Sequence, residues 1–264
     1  MIAPLAELLA RHRVLVLTGA GISTESGIPD YRGPTAPKRV RPPMQYKEFV
    51  GSEDARRRYW SRSVLGWSRF TSARPAAAHL ALTELEKQGR IAGLITQNVD
   101  RLHHRAGHQR VVELHGALED VRCLECDNIV ARSSLQTALL AKNPALAGLT
   151  AQPIADGDAD FEPPSDFAII PCAVCGGVLK PNVVFFGENV PKKVVESAWA
   201  TFEEANALLV IGSSLTVFSG YRFVRKAAER GWPIAIVNLG PTRGDDLATI
   251  RIDARAGDVV PRLV

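Results

Sequence analysis

The run Val14-Leu15-Val16-Leu17-Thr18, halted by Gly19-Ala20-Gly21, constrains this chain more than any other feature. A stretch so short and so uniformly apolar fits a strand buried on both faces rather than a half-exposed one. Similar runs recur at Ile91–Thr96, Ala207–Ile211, Ile234–Val237 and, more weakly, at 249–252. Between them, segments such as 76–87 and 192–204 carry apolar residues at helical spacing. The alternation predicts an α/β fold: a Rossmann-like parallel sheet covered by helices on both faces.

The segment 122–179 breaks that rhythm, because it holds every cysteine and the Pro- and Asp-rich stretch 152–166. It is expected to be an inserted module, so the nucleotide-type domain is discontinuous, 1–121 plus 180–264. Within it, 33–43 contains four prolines and several basic residues and reads as a loop rather than a sheet element. The first 13 residues carry Glu7 and no long apolar centre, which favours a short amphipathic helix over a targeting peptide.

All four cysteines fall in two Cys-x-x-Cys pairs, Cys123/Cys126 and Cys172/Cys175. Four thiolates close a tetrahedral zinc site with no open position, so the implied metal is one structural zinc ion, and the module is a smaller zinc-binding one. A thioredoxin-like redox centre needs only one such pair. No cysteine is left for a separate disulfide, which suits a reducing compartment.

The 264 residues are 46% hydrophobic and 23% charged, enough for one sizeable core plus a module. A net charge of +4 is too small to argue for nucleic acid, and Arg56-Arg57-Arg58 reads as a solvated helix face. No apolar run approaches the ~20 residues of a membrane helix.

Glycines directly after a strand let backbone N–H groups approach a pyrophosphate, with the following helix N-terminus adding positive potential. The full G-x-G-x-x-G pattern fails here: Thr24 takes the third glycine position, and the next glycine is Gly27. By itself the turn is equally a simple tight turn. The continuation Ile22-Ser23-Thr24-Glu25-Ser26-Gly27-Ile28-Pro29-Asp30-Tyr31-Arg32, however, resembles the sirtuin signature G-A-G-I-S-x-x-S-G-I-P-D-[FY]-R. The resemblance continues at Thr96-Gln97-Asn98-Val99-Asp100, Glu113-Leu114-His115-Gly116, Gly212-Ser213-Ser214 and Ile236-Val237-Asn238, covering nearly the whole chain. Pro181-Asn182-Val183-Val184-Phe185-Phe186-Gly187-Glu188 and the tract 240–248 look like class II sirtuins, nearest the mitochondrial sirtuin-four type.

The resemblance implies an NAD-dependent protein-lysine deacylase, which consumes NAD as co-substrate, releases nicotinamide and moves the acyl group to ADP-ribose. It implies NAD contacts from Gly19, Ala20, Gly21, Ser23, Thr24, Ile28, Pro29, Asp30, Tyr31 and Arg32, with Tyr31 standing where sirtuins more often carry Phe. It also implies that 33–74 is the cofactor loop and the helical part of the small domain. Arg32 offers a planar fork to phosphate, and Tyr31 can shield a reactive sugar from water. Asn98 and Asp100 would hold the nicotinamide carboxamide, with Val99 beside them and Gln97 facing the ribose. Read from residue type alone, Asn98 and Asp100 are also good caps for a helix starting near Val99.

Gly212, Ser213 and Ser214 end another strand and suit phosphate or ribose contact, or a helix cap. Asn238 fits the adenine ribose or a local Asx turn; the resemblance favours the ribose and implies Leu239, Gly240 and Ala256 near the adenine. Many class II members carry Cys at the position of Ala256. Cleavage of the nicotinamide–ribose bond needs water excluded and a general base near neutral pKa. By resemblance the base is His115, in its Glu-Leu-His-Gly setting, with Asn98 as its catalytic companion; His103, His104 and His108 are nearby competitors. For the acyl-lysine protein substrate, Val183, Val184, Phe185, Phe186, Gly187 and Glu188 are expected to form an extended edge for a peptide strand, with Val217 and Ser219 on its other side. Core packing explains 183–186 equally well.

Two other functions stand beside this one. A mono-ADP-ribosyltransferase shares the cleavage step, and a non-catalytic zinc-ribbon binding module would need neither His115 nor Asn98. The Tyr-x-x-Arg pair by which some sirtuins recognise acidic acyl chains is not evident near 33–46. The loop 155–160, acidic and glycine-containing, reads as solvated. A monomer is expected, cytoplasmic if bacterial, or in the mitochondrial matrix if a presequence has been removed.

Overall fold

The computed structural model describes residues 2–33, 36, 42–149, 152–153, 159–161, 164 and 166–264. Its strands are β1 (Val14–Thr18), β2 (Ile91–Thr96), β3 (Val111–Glu113), β4 (Gly116–Cys123), β5 (Ile129–Ala131), β6 (Gln152–Pro153), β7 (Ala159–Asp160), β8 (Leu179–Val183), β9 (Ala207–Ile211), β10 (Ile234–Val237) and β11 (Ile250–Ile252). The helices are α1 (Ala3–Arg11), α2 (Tyr46–Gly51), α3 (Glu53–Ser72), α4 (Ala77–Lys87), α5 (Leu102–Ala106), α6 (Arg132–Lys142), α7 (Lys192–Glu203), α8 (Phe218–Glu229) and α9 (Ala256–Val259). Two compact units result: Met1–Pro37 with Arg74–His115 and Val190–Val264, and Lys38–Ala73 with Gly116–Asn189.

The first unit is a six-stranded sheet in the order β11-β10-β9-β1-β2-β3, with every pairing parallel. Strands β1, β2, β9 and β10 bury both faces, which is why they read as continuous apolar runs. Val14 and Val16 point into one layer, with Leu5, Leu8 and Leu9 of α1 and Leu82 and Leu85 of α4. Leu15 and Leu17 point into the other, with Ala198 and Phe202 of α7 and Phe223, Val224 and Ala227 of α8. Strand β3 was not expected: Val111-Val112-Glu113 is half-buried at the sheet edge and too short to show a period. The amino-terminal helix α1 forms as the composition of the first 13 residues predicts.

Helix α3 of the second unit is capped by Ser52, whose Oγ accepts from the Ala55 N–H at 3.2 Å, and Glu53 and Asp54 favour its positive end. Strand β4 pairs antiparallel with both β5 and β8. Arg132, at the start of α6, is buried with Trp60 and Trp67 beneath its guanidinium at 5.4 and 4.9 Å and Ser63 as its hydrogen-bond acceptor. Two aromatic faces thus take the place of a carboxylate for this buried cation. Neither α6 nor this pin was visible in the sequence, because the cysteines and prolines of 122–179 masked the helical spacing.

The expected extended edge at 183–188 is shorter than anticipated. Only Val183 lies in β8, and beyond it Phe186 makes a single parallel bridge to Gln45. Of the acidic loop, 155–158 lies outside the described residues, whereas Ala159 and Asp160 pair with Pro153 and Gln152 as a short two-stranded ribbon.

Candidate active site

The chain leaves β1 towards β2 and β3 on one side and returns through β9 towards β10 and β11 on the other, so strand order reverses between β1 and β9. In open parallel sheets this reversal opens a crevice at the carboxyl ends of the strands, where ligands bind. Gly19-Ala20-Gly21 and Gly212 are the two turns that line it. The Gly21 N–H donates to the Gly212 carbonyl at 2.8 Å. A Cβ on Gly19 would stand 2.8 Å from the Gly212 oxygen, and one on Gly21 would stand 2.8 Å from the Gly212 Cα. Gly212 itself has φ +61°. The two turns therefore pack backbone against backbone, a cradle that any side chain would fill.

Beyond the first turn, Thr24 Oγ1 donates to the Gly21 carbonyl at 3.1 Å, and Ile28 is buried. Asp30 accepts the Gly33 N–H at 3.0 Å and so closes the turn that carries Pro29, Tyr31 and the exposed Arg32.

Ser23, expected among the NAD contacts, turns its side chain inward. It is fully buried; its hydroxyl accepts from Asn98 Nδ2 at 3.1 Å and donates to Asp100 Oδ2 at 2.7 Å. Asn98 Nδ2 also donates to the Gly19 carbonyl at 3.2 Å, and Asp100 Oδ1 accepts the Leu102 N–H at 2.9 Å. Burial raises the Asp100 carboxyl above its ordinary range, and the Leu102 and Ser23 hydrogen bonds oppose that rise. One hydroxyl thus holds a buried amide and a buried carboxyl together beside the glycine turn. Of the two jobs weighed for Asp100 from the sequence, the capping one is seen directly, since its Oδ1 accepts the Leu102 N–H at the entry to α5.

Underneath, the Thr18 hydroxyl donates to Thr96 Oγ1 at 2.9 Å and lies 3.0 Å from His103 Nε2, while Thr96 Oγ1 accepts the Asn98 N–H at 3.1 Å. This support for Asn98 left no signal in the sequence. His103 and His108 are buried against each other and His79, with ring centroids 5.2 and 4.8 Å apart. His104 lies beside Glu113, 3.3 Å away.

His115 follows β3. Its Nδ1 lies 2.9 Å from the Gln97 carbonyl, and its Nε2 lies 2.7 Å from Ser219 Oγ on α8. A carbonyl only accepts, so Nδ1 carries the proton and Nε2 holds the lone pair. Burial lowers the His115 pKa, the Gln97 carbonyl raises it, and the Arg222 charge lowers it further, leaving a net fall. The ring is therefore neutral near pH 7 and basic at Nε2. Gln97 Nε2 donates to the Thr18 carbonyl at 3.2 Å and to Ser213 Oγ at 2.8 Å, tying the loop after β2 to the turn after β9. Ser213 Oγ also accepts the Leu215 N–H, and Ser214 pairs with Thr216 at 3.1 Å.

The Asn238 amide donates to the Leu239 and Gly240 carbonyls of its own loop at 3.1 and 2.9 Å. Ala256 is buried at the start of α9. Val217 is the residue before α8, and Val99 is half-buried. In the second unit, Phe185 is buried against Phe49 and Tyr59, while Phe186 is half-buried. The Glu188 carboxylate accepts the Phe185 N–H at 2.8 Å and pairs with buried Lys180 at 3.0 Å, so it anchors the tract around Gly187. Val184 is half-buried beside them.

The four cysteines converge. Their sulfurs all lie within 4.8 Å of one another, with Cys123–Cys175 at 3.5 Å and Cys126–Cys172 at 3.8 Å. Sulfurs ~2.3 Å from a tetrahedral zinc stand about 3.8 Å apart, so the geometry fits one zinc ion held by thiolates alone. Asp127 and Gly176 adopt left-handed backbone in the two knuckles, φ 59° and +77°.

Fold and crevice define the class: an α/β protein with a dinucleotide-type switch point and a four-cysteine zinc module. Residues 19–219 match the Sir2 family model. An NAD-dependent protein deacetylase 2 of Bradyrhizobium diazoefficiens is 51% identical over 261 residues, covering 96% of each chain. An NAD-dependent protein deacetylase 1 of Streptomyces coelicolor is 53% identical over 253 residues, covering 95% of this chain and 85% of that one. A solved Sir2 complex with p53 peptide and NAD+ superposes with a TM-score of 0.76 at 31% identity, over 100% of this chain and 97% of the other. The chain belongs to the Sir2 family.

Proposed function

We propose that this chain is an NAD-dependent protein-lysine deacylase, and the observation that carries the reading is His115. It is a neutral imidazole whose Nε2 is poised to accept a proton, in the same unit as the Gly19 cradle and the Asn98–Ser23–Asp100 cluster. NAD supplies the ribose that receives the acyl oxygen and the nicotinamide that leaves. The chain's part is to bind and orient: Asn98 and Asp100 grip the carboxamide, Gln97 faces the ribose, and the turns at 19–21 and 212–214 take the phosphates with Thr24 and Arg32. Asn238, Leu239, Gly240 and Ala256 surround the adenosine end, and Ile28, Pro29, Asp30 and Tyr31 exclude water. His115 Nε2 accepts a ribose hydroxyl proton.

The substrate is an acylated lysine in a protein or peptide, touched by 183–188 and by Val217 and Ser219. Zinc holds the module at Cys123, Cys126, Cys172 and Cys175 in place without taking part in chemistry. The tracts 181–188 and 240–248 support a class II assignment of the sirtuin-four type, and the domain division 1–121 with 180–264 against 122–179, with the helical part of 33–74 joining the smaller domain, belongs to the same reading. The bacterial relatives favour the cytoplasm over a mitochondrial matrix, and a monomer is the working state. No helix among the described residues is long and apolar enough to cross a membrane.

The test is a panel of acyl-lysine peptides, from acetyl to long branched and carboxylated chains, incubated with NAD. Free lysine peptide with O-acyl-ADP-ribose is the expected product. NAD consumption that instead labels protein with ADP-ribose would replace deacylation by the transferase reading, and salt-sensitive nucleic-acid binding without NAD turnover would replace both.

A further inference from the structure

His115 is gripped at both nitrogens, and the Nε2 contact raises a question of access. A neutral imidazole nitrogen has one lone pair, and Ser219 Oγ occupies it at 2.7 Å. The Nδ1 side is closed by the Gln97 carbonyl at 2.9 Å. A hydroxyl approaching the base therefore meets the serine first. Ser219 cannot withdraw as a whole: it lies in the first turn of α8, where its carbonyl accepts Arg222 Nε at 3.1 Å and the next residue, Gly220, has no room for a Cβ, which would stand 2.5 Å from Gln97 Oε1. Its oxygen keeps unshared pairs while its proton points at Nε2.

We propose that Ser219 is a proton relay for His115. The substrate hydroxyl gives its proton to Ser219 Oγ as the Ser219 O–H bond breaks and that proton passes to Nε2; serine is regenerated, and one proton has moved from substrate to imidazole. Of the charged groups on the elements around the ring, Arg222 on α8 acts on His115, whereas Arg101 and Glu113 face each other at 3.4 Å. The relay rests on the reading of His115 as general base.

Nitrogen NMR of the NAD-free protein, with the His115 signals assigned through His115→Gln, reads the contact directly. Ser219→Ala should shift the Nε2 resonance and leave the protonated Nδ1 in place, and Ser219→Thr should restore the wild-type position. An Nε2 signal unmoved by Ser219→Ala overturns the contact and the relay with it. In turnover, Ser219→Ala should lower kcat about ten- to a hundredfold with the KM for NAD little changed, a loss at or below the lower end of the usual general-base effect because His115 itself remains. Ser219→Thr should recover most of the rate. Rates measured in mixtures of light and heavy water should curve for the wild type, where two protons move, and run straight for Ser219→Ala. A Ser219→Ala enzyme as fast as wild type, or with the same curvature, overturns the relay. Absence of any NAD turnover by the wild type overturns the deacylase reading separately, while the NMR result stands independently of it.

Discussion

At the scale of single residues, His115 is defined by what each ring nitrogen faces. Because burial and Arg222 hold its pKa below the ordinary 6.5, the neutral, basic form persists into mildly acid solution. The acid limb of kcat/KM should therefore fall below pH 6.5, with activity lost as pH drops through the lowered pKa. His115→Ala should retain NAD binding, measured by calorimetry, and lose deacylation at least about a hundredfold. A folded His115→Ala enzyme with near-normal turnover would remove His115 from the base role. Ser23, which the signature places among the NAD contacts, has a side chain that faces inward and organises Asn98 and Asp100, a role the signature does not spell out.

At the scale of elements, α4 and α5 hold the floor of the crevice through His79 and His103, with His108 following α5. His79 Nδ1 accepts the Ala76 N–H at 3.2 Å at the start of α4, and burial, with a smaller push from His108, lowers its pKa to about 4. Burial also lowers His103 and His108. A histidine with a depressed folded-state pKa is protonated first in the unfolded chain. Its stabilising contribution is complete above pH 6.5 and is lost as pH falls from 6.5 towards 4. For His79 alone the span corresponds to about 3 kcal/mol. Denaturant midpoints measured from pH 7.5 to 4.5 should fall, and His79→Gln should flatten that fall; parallel curves for both proteins would show that the cluster does not govern acid sensitivity.

For the molecule as a whole, the two units draw stability from different sources. The sheet unit has two apolar layers, whereas the second unit combines a buried aromatic cluster around Phe49, Tyr59 and Phe185 with four sulfurs within 4.8 Å of one another. Metal analysis should find one zinc per chain. Chelation or Cys172→Ser should unfold the second unit first, seen as early proteolysis within 116–189, while the sheet unit keeps its cooperative melt. Loss of zinc with no change in proteolysis would deny the ion its structural role.

The sequence by itself determined the sheet, because strands buried on both faces must be continuously apolar and helices covering them must be amphipathic. It likewise determined the zinc set, since paired Cys-x-x-Cys knuckles are local in sequence. Short or composite features escaped it: β3 is too brief for a period, and α6 is hidden among cysteines and prolines. Tertiary structure alone decided which groups meet. Gly212 lies against Gly21, Gln97 reaches Ser213, and Ser219 reaches His115 across 104 positions of chain. Those contacts follow from the reversal of strand order at β1 and β9, which brings distant loops to one crevice; no local pattern encodes a hydrogen bond whose partners become neighbours only when the sheet closes.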